Sequence, residues 1–278
     1  MNNIFNIKRF GHVFKKDLFE NYKRYLLSFV TLMGIMVIIL FIQTWDYFRS
    51  IREVNYSYIN RELLTFMSIL FFVAGVFFAS TFMASMNSKL KRISYLVNPA
   101  SNLEKYLTRW LVTTIGYILA FFIALWIADV IRVAACSIIF PDADIRFLDL
   151  SRLRYSGDDF RNGYDMLPWQ VFDAMIFFYL FLQSLFLLGS TIWEKVSFIK
   201  TFTALSAIIF VYIMVCWWAI LLSYGDLDGF GNVMRSFSQD TTDMQALRFF
   251  CIVLTPLTLA NWTLAFFRIR ESEIIKRI

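Results

Sequence analysis

The chain of 278 residues is 59% apolar, 19% aromatic and only 17% charged, with 32 Phe but 10 Gly and 4 Pro. A soluble domain is about a quarter charged, so this composition excludes an ordinary water-soluble fold, and the scarcity of Gly and Pro excludes collagen-like or low-complexity chain. The formal net charge is +6, and its distribution between loops decides what that excess means.

Residues 1–24 come first. Ile7, Phe10, Phe14 and Leu18 recur at steps of three and four, flanked by Lys8, Arg9, Lys15 and Lys16. This pattern predicts an amphipathic helix lying in the inner membrane interface. The plainer alternative is an exposed basic arm. The only histidine is His12, so one chain holds no catalytic or metal-binding histidine pair.

Six charge-free stretches follow, at 25–45, 63–88, 110–128, 174–193, 201–225 and 249–267. The third has an apolar pattern that can run past Arg132 to Phe140. A helix of about 20 residues crosses a hydrocarbon core roughly 30 Å thick. The predicted fold is therefore an all-α integral membrane protein, one domain over 1–278 with six transmembrane helices. No small-residue cleavage site follows the first stretch, which reads as a span and not a signal peptide.

Orientation follows from the loops. With the N-terminus inside, the inner pieces are 1–24, 89–109, 194–200 and 268–278. They carry 17 of the 27 Lys and Arg, and all ten lysines, against six acids. The outer pieces carry more acid than base. Positive residues near span ends set topology, so both termini are expected in the cytoplasm. The basic excess is then a topological signal and a fit to anionic lipid, not a sign of nucleic acid. The outer loops are uneven, and the longest runs over 129–173.

Several chemistries are missing. No phosphate-loop, G-x-S-x-G or H-E-x-x-H motif occurs, so no catalytic residue, cofactor or metal is expected and the chain is not expected to be an enzyme. The acids of "SGDDFRNGYD", 156–165, fail as a calcium loop, because Phe160 and Trp169 stand where oxygen ligands belong. Cys136, Cys216 and Cys251 lack ligand spacing. A Cys216–Cys251 bridge is conceivable, but three buried apolar thiols fit better. None of the six stretches holds an ionisable group in its interior, which argues against an ion-coupled carrier. Pro256 is expected to kink the last helix by freeing the carbonyl of Ile252.

The loop between spans two and three is unusual. Pro99 ends any helix arriving from span two. Ser101 and Glu104 then form S-x-x-E, a capping box that starts a helix at Asn102 running into span three. With Lys91, Arg92 and Lys105 it makes a rigid charged elbow. The other reading is a well-capped helix hairpin that carries positive-inside charge.

In "LVNPASNLEKYLTRWL", 96–111, the chain resembles the permease subunit of an ABC-2 type ABC transporter, where Pro, Ser and Glu recur at this spacing. Val97-Asn98 departs from the family's Leu-Pro. "LLGSTIWEKVSFIKT", 187–201, is similar to the family's turn between spans four and five. The resemblance implies a separate ATP-binding subunit docked on the elbow at Lys91, Arg92, Pro99, Ser101, Asn102, Glu104 and Lys105. It also implies a second permease subunit, in a homo- or heterodimer, and a path lined by spans two and five. Phe71, Phe72, Phe78, Trp217 and Trp218 would then line it, unless these aromatics simply face lipid. The implied function is export across a bacterial cytoplasmic membrane. The alternatives are a secondary transporter or channel, and a membrane sensor or scaffold that reads through 129–173. A membrane-embedded enzyme ranks last.

Overall fold

The computed structural model describes residues 5–50, 56–83, 100–141, 145–150, 169–193, 195–224 and 243–275. Among these residues every regular element is helical. Six helices are long and apolar enough to cross a membrane. The described helices fall into two compact units.

The first unit opens with α1 (Ile7–Ser50), which runs unbroken for 44 residues. The expected interfacial helix is therefore not a separate element, because 7–24 continue directly into span one. No Pro lies in this run to interrupt the hydrogen-bond ladder. Next comes α2 (Tyr56–Ser80). It starts before Leu63 and stops short of Ser88. The hydroxyls of Ser80 and Thr81 donate back to the carbonyls of Phe77 and Phe78 at 2.6 and 2.7 Å. These bonds occupy the acceptors of the last turn, and the chain leaves the helix in the turn 81–83.

The third span is one continuous helical run in three parts: α3 (Asn102–Leu111), a π turn at Val112–Gly116, and α4 (Tyr117–Ile139). It continues past Arg132, as its apolar pattern allowed. At the π turn the ladder changes spacing, and the Thr113 hydroxyl donates to the carbonyls of Arg109 and Trp110 at 2.9 and 3.3 Å. Ring contacts give the directions. Tyr25 meets Phe78 and Tyr47 meets Tyr58, so α1 and α2 are antiparallel. Phe71 meets Phe121 and Phe82 meets Tyr106, so α2 and the third span are antiparallel too.

The second unit contains α5 (Trp169–Ile192), α6 (Ser197–Tyr224) and α7 (Asp243–Ile275). Phe178 faces Phe250, and Gln183 accepts from the Trp262 indole at 3.3 Å, so α5 and α7 run parallel. Ser184 accepts from the Asn261 amide at 3.0 Å. These are helix-to-helix hydrogen bonds, the ordinary use of mild polar groups within a bundle. Pro256 sits inside α7. Next to it, the Thr255 hydroxyl donates to the Cys251 carbonyl at 2.8 Å. All three cysteines are free, Cys136 buried and the other two half-buried.

The turn joining α5 to α6 is tight. Val196 has φ 55°, a left-handed backbone that a β-branched residue rarely adopts. The turn brings Thr201 onto Gly189. A Cβ added at Gly189 would lie 2.6 Å from Thr201 Cγ2 and 2.9 Å from its Cβ, inside any normal contact. Gly189→Ala is expected to destabilise the protein by about 1–3 kcal/mol through overpacking. Thr201→Gly in the same chain should restore much of that loss. Thermal unfolding of both variants in detergent checks the pair, and an unaltered melting temperature for Gly189→Ala would refute the close approach.

Candidate functional site

The elbow predicted from the sequence is described from Ala100 onward. Lys91, Arg92 and Pro99 lie outside the described residues. Ser101 is the N-cap of α3, in extended backbone, and both halves of the capping box are present. The Glu104 amide donates to Ser101 Oγ at 3.3 Å, and the Ser101 amide donates to Glu104 Oε2 at 3.1 Å.

That carboxylate has further work. Glu104 is 0% exposed. Its Oε1 accepts from the Asn6 amide and from Arg9 Nη2, each at 2.8 Å, and its Oε2 accepts from Arg9 Nε at 2.6 Å. Four donors thus converge on one carboxylate, which fills its acceptor positions. The two-pronged guanidinium contact fixes direction as well as distance. The capping residue of α3 therefore clasps the start of α1.

A second ion pair lies further along the same two helices. Asp17 Oδ1 accepts from Arg109 Nη2 at 3.3 Å and from Asn21 Nδ2 at 3.1 Å, and Asp17 Oδ2 accepts from the Tyr25 hydroxyl at 2.9 Å. Arg109 Nη1 donates to the Phe82 carbonyl at 2.9 Å, just beyond the end of α2. Arg109 thus ties all three spans of this unit together. Because Arg9 pairs with Glu104 and Asp17 with Arg109, α1 and α3 run parallel.

The predicted docking residues are unevenly placed. Ser101 and Asn102 are half-buried, while Glu104 and Lys105 are turned into the chain and buried. The predicted path residues fall in two groups. Phe71 packs edge-on against Phe121 at 4.9 Å, its carbonyl accepting from the Tyr117 hydroxyl at 2.8 Å, and Phe78 stacks on Tyr117 at 5.9 Å. Phe72 lies edge-on to Phe71 at 6.2 Å. These rings belong to the packing of the first unit. Trp217 and Trp218 sit on α6 in the second unit, 45% and 63% exposed.

Sequence reasoning missed Arg9, Asp17 and Arg109. A signal was present: a base then an acid on α1, and an acid then a base on α3, are complementary for two parallel helices. It also missed the opposite end of this unit. Asp129 and Arg132, one helical turn apart on α4, are 5% and 2% exposed. Arg132 Nε donates to Asp129 Oδ1 at 2.8 Å, Nη1 to Thr44 Oγ1 at 3.4 Å, and Nη2 to the Arg146 carbonyl at 2.7 Å. The Leu148 amide donates to Asp129 Oδ2 at 2.8 Å. Asn60 pairs with the backbone of Asp149 in both directions. Segment 145–150 is thereby fastened onto α2 and α4. Asp129 and Arg132 lie just past the charge-free stretch 110–128, on the part of the third helix that continues beyond it, and their charge is buried as a pair.

Comparison with family models, with curated proteins and with solved structures finds no match to this chain.

Proposed function

We propose that the chain is the membrane-spanning permease subunit of an ABC transporter, working as an exporter with a separate ATP-binding subunit. Both termini and the elbow lie on the cytoplasmic side of a bacterial inner membrane, and a second permease subunit completes the assembly. The observation that carries this reading is the Glu104 clasp. It gives the elbow a stiff connection both to span three, through α3, and to span one, through Arg9 and Asn6. A push on the elbow would reach two spans at once, whereas a loose loop would absorb it. With Glu104 and Lys105 buried, the partner's contact falls on the basic chain that precedes Ala100, and Glu104 serves to transmit. The long exposed face of α6, with Phe210, Tyr212 and Trp218 all more than half exposed, offers the second subunit an apolar surface.

The test is co-purification of the tagged chain with a nucleotide-binding subunit, followed by ATPase assay of the pair in nanodiscs. Lys91→Glu with Arg92→Glu is expected to lower permease-stimulated ATP hydrolysis at least about tenfold, because like-charge contact at an interface costs more than 1.4 kcal/mol. Full stimulation in that variant would remove the elbow from the docking surface.

A second reading rests on Asp129–Arg132. Ionisable residues inside a membrane helix mark ion pathways often enough to be considered, and this pair would suit an ion-coupled carrier. Flux in vesicles driven by a proton or sodium gradient, with no ATPase present, would favour it over the permease reading.

A further inference from the structure

We propose that a groove between the first turns of α1 and Ala100 binds the phosphate of an anionic phospholipid. The groove has a volume of about 360 Å³ and is lined by Lys8, Arg9, His12, Val13, Lys16 and Ala100, with Asn6 at its end. Lys8, His12 and Lys16 follow at four-residue steps and so stand in one line along the helix. None of the described lining residues is acidic.

The electrostatics call for an anion. Asn6 caps α1, its Oδ1 accepting from the amides of Lys8 and Arg9 at 3.0 and 3.5 Å. A helix N-terminus carries partial positive charge and favours acids. The first turn of α1 has no acid, and Lys8 and Arg9 stand there instead. Glu104 answers Arg9 at 2.6 Å. Lys16 has Glu20 at 3.6 Å, an exposed pair that adds little. Lys8 stands at the same positive end, so with Arg9 and Lys16 the groove gathers more positive charge than the acids around it offset.

Depth and surroundings select a lipid. Asp17 is level with Arg109, one residue before the charge-free stretch of span three, and Arg9 is level with Glu104, six residues before it. At 1.5 Å per residue the lining from Asn6 to Lys16 extends roughly 15 Å along α1, so its Lys16 end stands in the headgroup layer beside the hydrocarbon and its Lys8 end at the outer edge of that layer. Around it Ile7 is 75% exposed and Phe19 69%. The Lys15 ammonium lies over the Phe19 ring at 5.8 Å, an apolar body with a charged tip as interfacial residues arrange themselves. Val13, Ala100 and the lysine stems give the groove apolar walls. A glycerol backbone and the first acyl carbons fit such walls. Free phosphate would leave them wet, and an acidic protein segment would leave Ile7 and Phe19 uncovered.

The inference requires that α1 cross a bilayer and does not depend on an ATPase partner. The test uses the full chain, delipidated in detergent, titrated with phosphatidylglycerol or phosphatidylcholine and followed by native mass spectrometry. Wild type should prefer phosphatidylglycerol. Lys8→Ser with Lys16→Ser should weaken that lipid about 30-fold, since each basic residue near an anionic surface contributes about fivefold in affinity. Lys8→Arg with Lys16→Arg should retain it. Equal affinity for the two lipids, or undiminished binding by the serine variant, would overturn the proposal. Inorganic phosphate displacing the lipid at millimolar concentration would overturn the lipid assignment in favour of a free-anion site. A glutamate-rich peptide displacing it would do so in favour of a protein partner. Because the readout is lipid binding alone, failure here leaves the transport reading standing, and failure of ATPase coupling leaves this one standing.

Discussion

Asp129→Leu is expected to destabilise the protein by about 3–5 kcal/mol, because it strands the guanidinium of Arg132 in the interior. Arg132 is 2% exposed. Without Asp129 it keeps, among the described residues, the Thr44 hydroxyl and the Arg146 carbonyl, neither of which carries a compensating charge. The Leu148 amide loses its acceptor in the same step, so segment 145–150 should loosen. Asp129→Leu combined with Arg132→Met should recover most of the loss, since replacing both members of a buried pair by apolar groups is often neutral. Thermal unfolding in detergent measures the first effect, and proteolysis near 145–150 measures the second. If the double variant melts as low as the single one, the pair is not what fastens this end of the unit.

Glu104→Ala should cost about 3 kcal/mol. Its carboxylate is wholly buried, yet Arg9 is 36% exposed and can turn toward water once released, which places the loss at the lower end for a broken pair. The Asn6 and Ser101 amides would each lose an acceptor. Glu104→Gln keeps one acceptor oxygen and should cost about half as much. A double-mutant cycle with Arg9→Met should give a coupling energy of about 1.5–3 kcal/mol. Hydrogen exchange over 7–16 should rise in Glu104→Ala and stay near wild type at 117–139. Additive single variants with unchanged exchange would mean that the clasp does not hold α1 in place.

The six helices long and apolar enough to cross a membrane were legible because a stretch of about 20 uncharged residues has few other uses. The capping box was legible because its two partners are three residues apart. What depended on distant partners was not. The end of α2 at Ser80 follows from hydroxyl back-bonding, and beyond it Arg109 on another helix takes the Phe82 carbonyl. Asp129 and Arg132 are visible as an acid and a base three apart, yet their burial comes from residues 145–150, which no local pattern links to them. The clasp needed both helices in view at once. Glu104 reads alone as a cap and Arg9 alone as a topogenic charge. The continuity of α1 is the clearest missed inference, since the absence of Pro from 7–50 was there to see.

The π turn has a geometric result for the third span. Below it, Glu104 and Arg109 grip α1, and above it Arg132 meets α1 again at Thr44. One extra residue in a helical run shifts everything downstream by about 100° around the axis. The turn at 112–116 thus acts as a phase adjuster that keeps both ends of one helix turned toward the same neighbour. Were it to relax to regular α spacing, Arg132 would swing away from Thr44 while the grips at Glu104 and Arg109 held, so the two ends of this strut can be in step only while the wide turn persists.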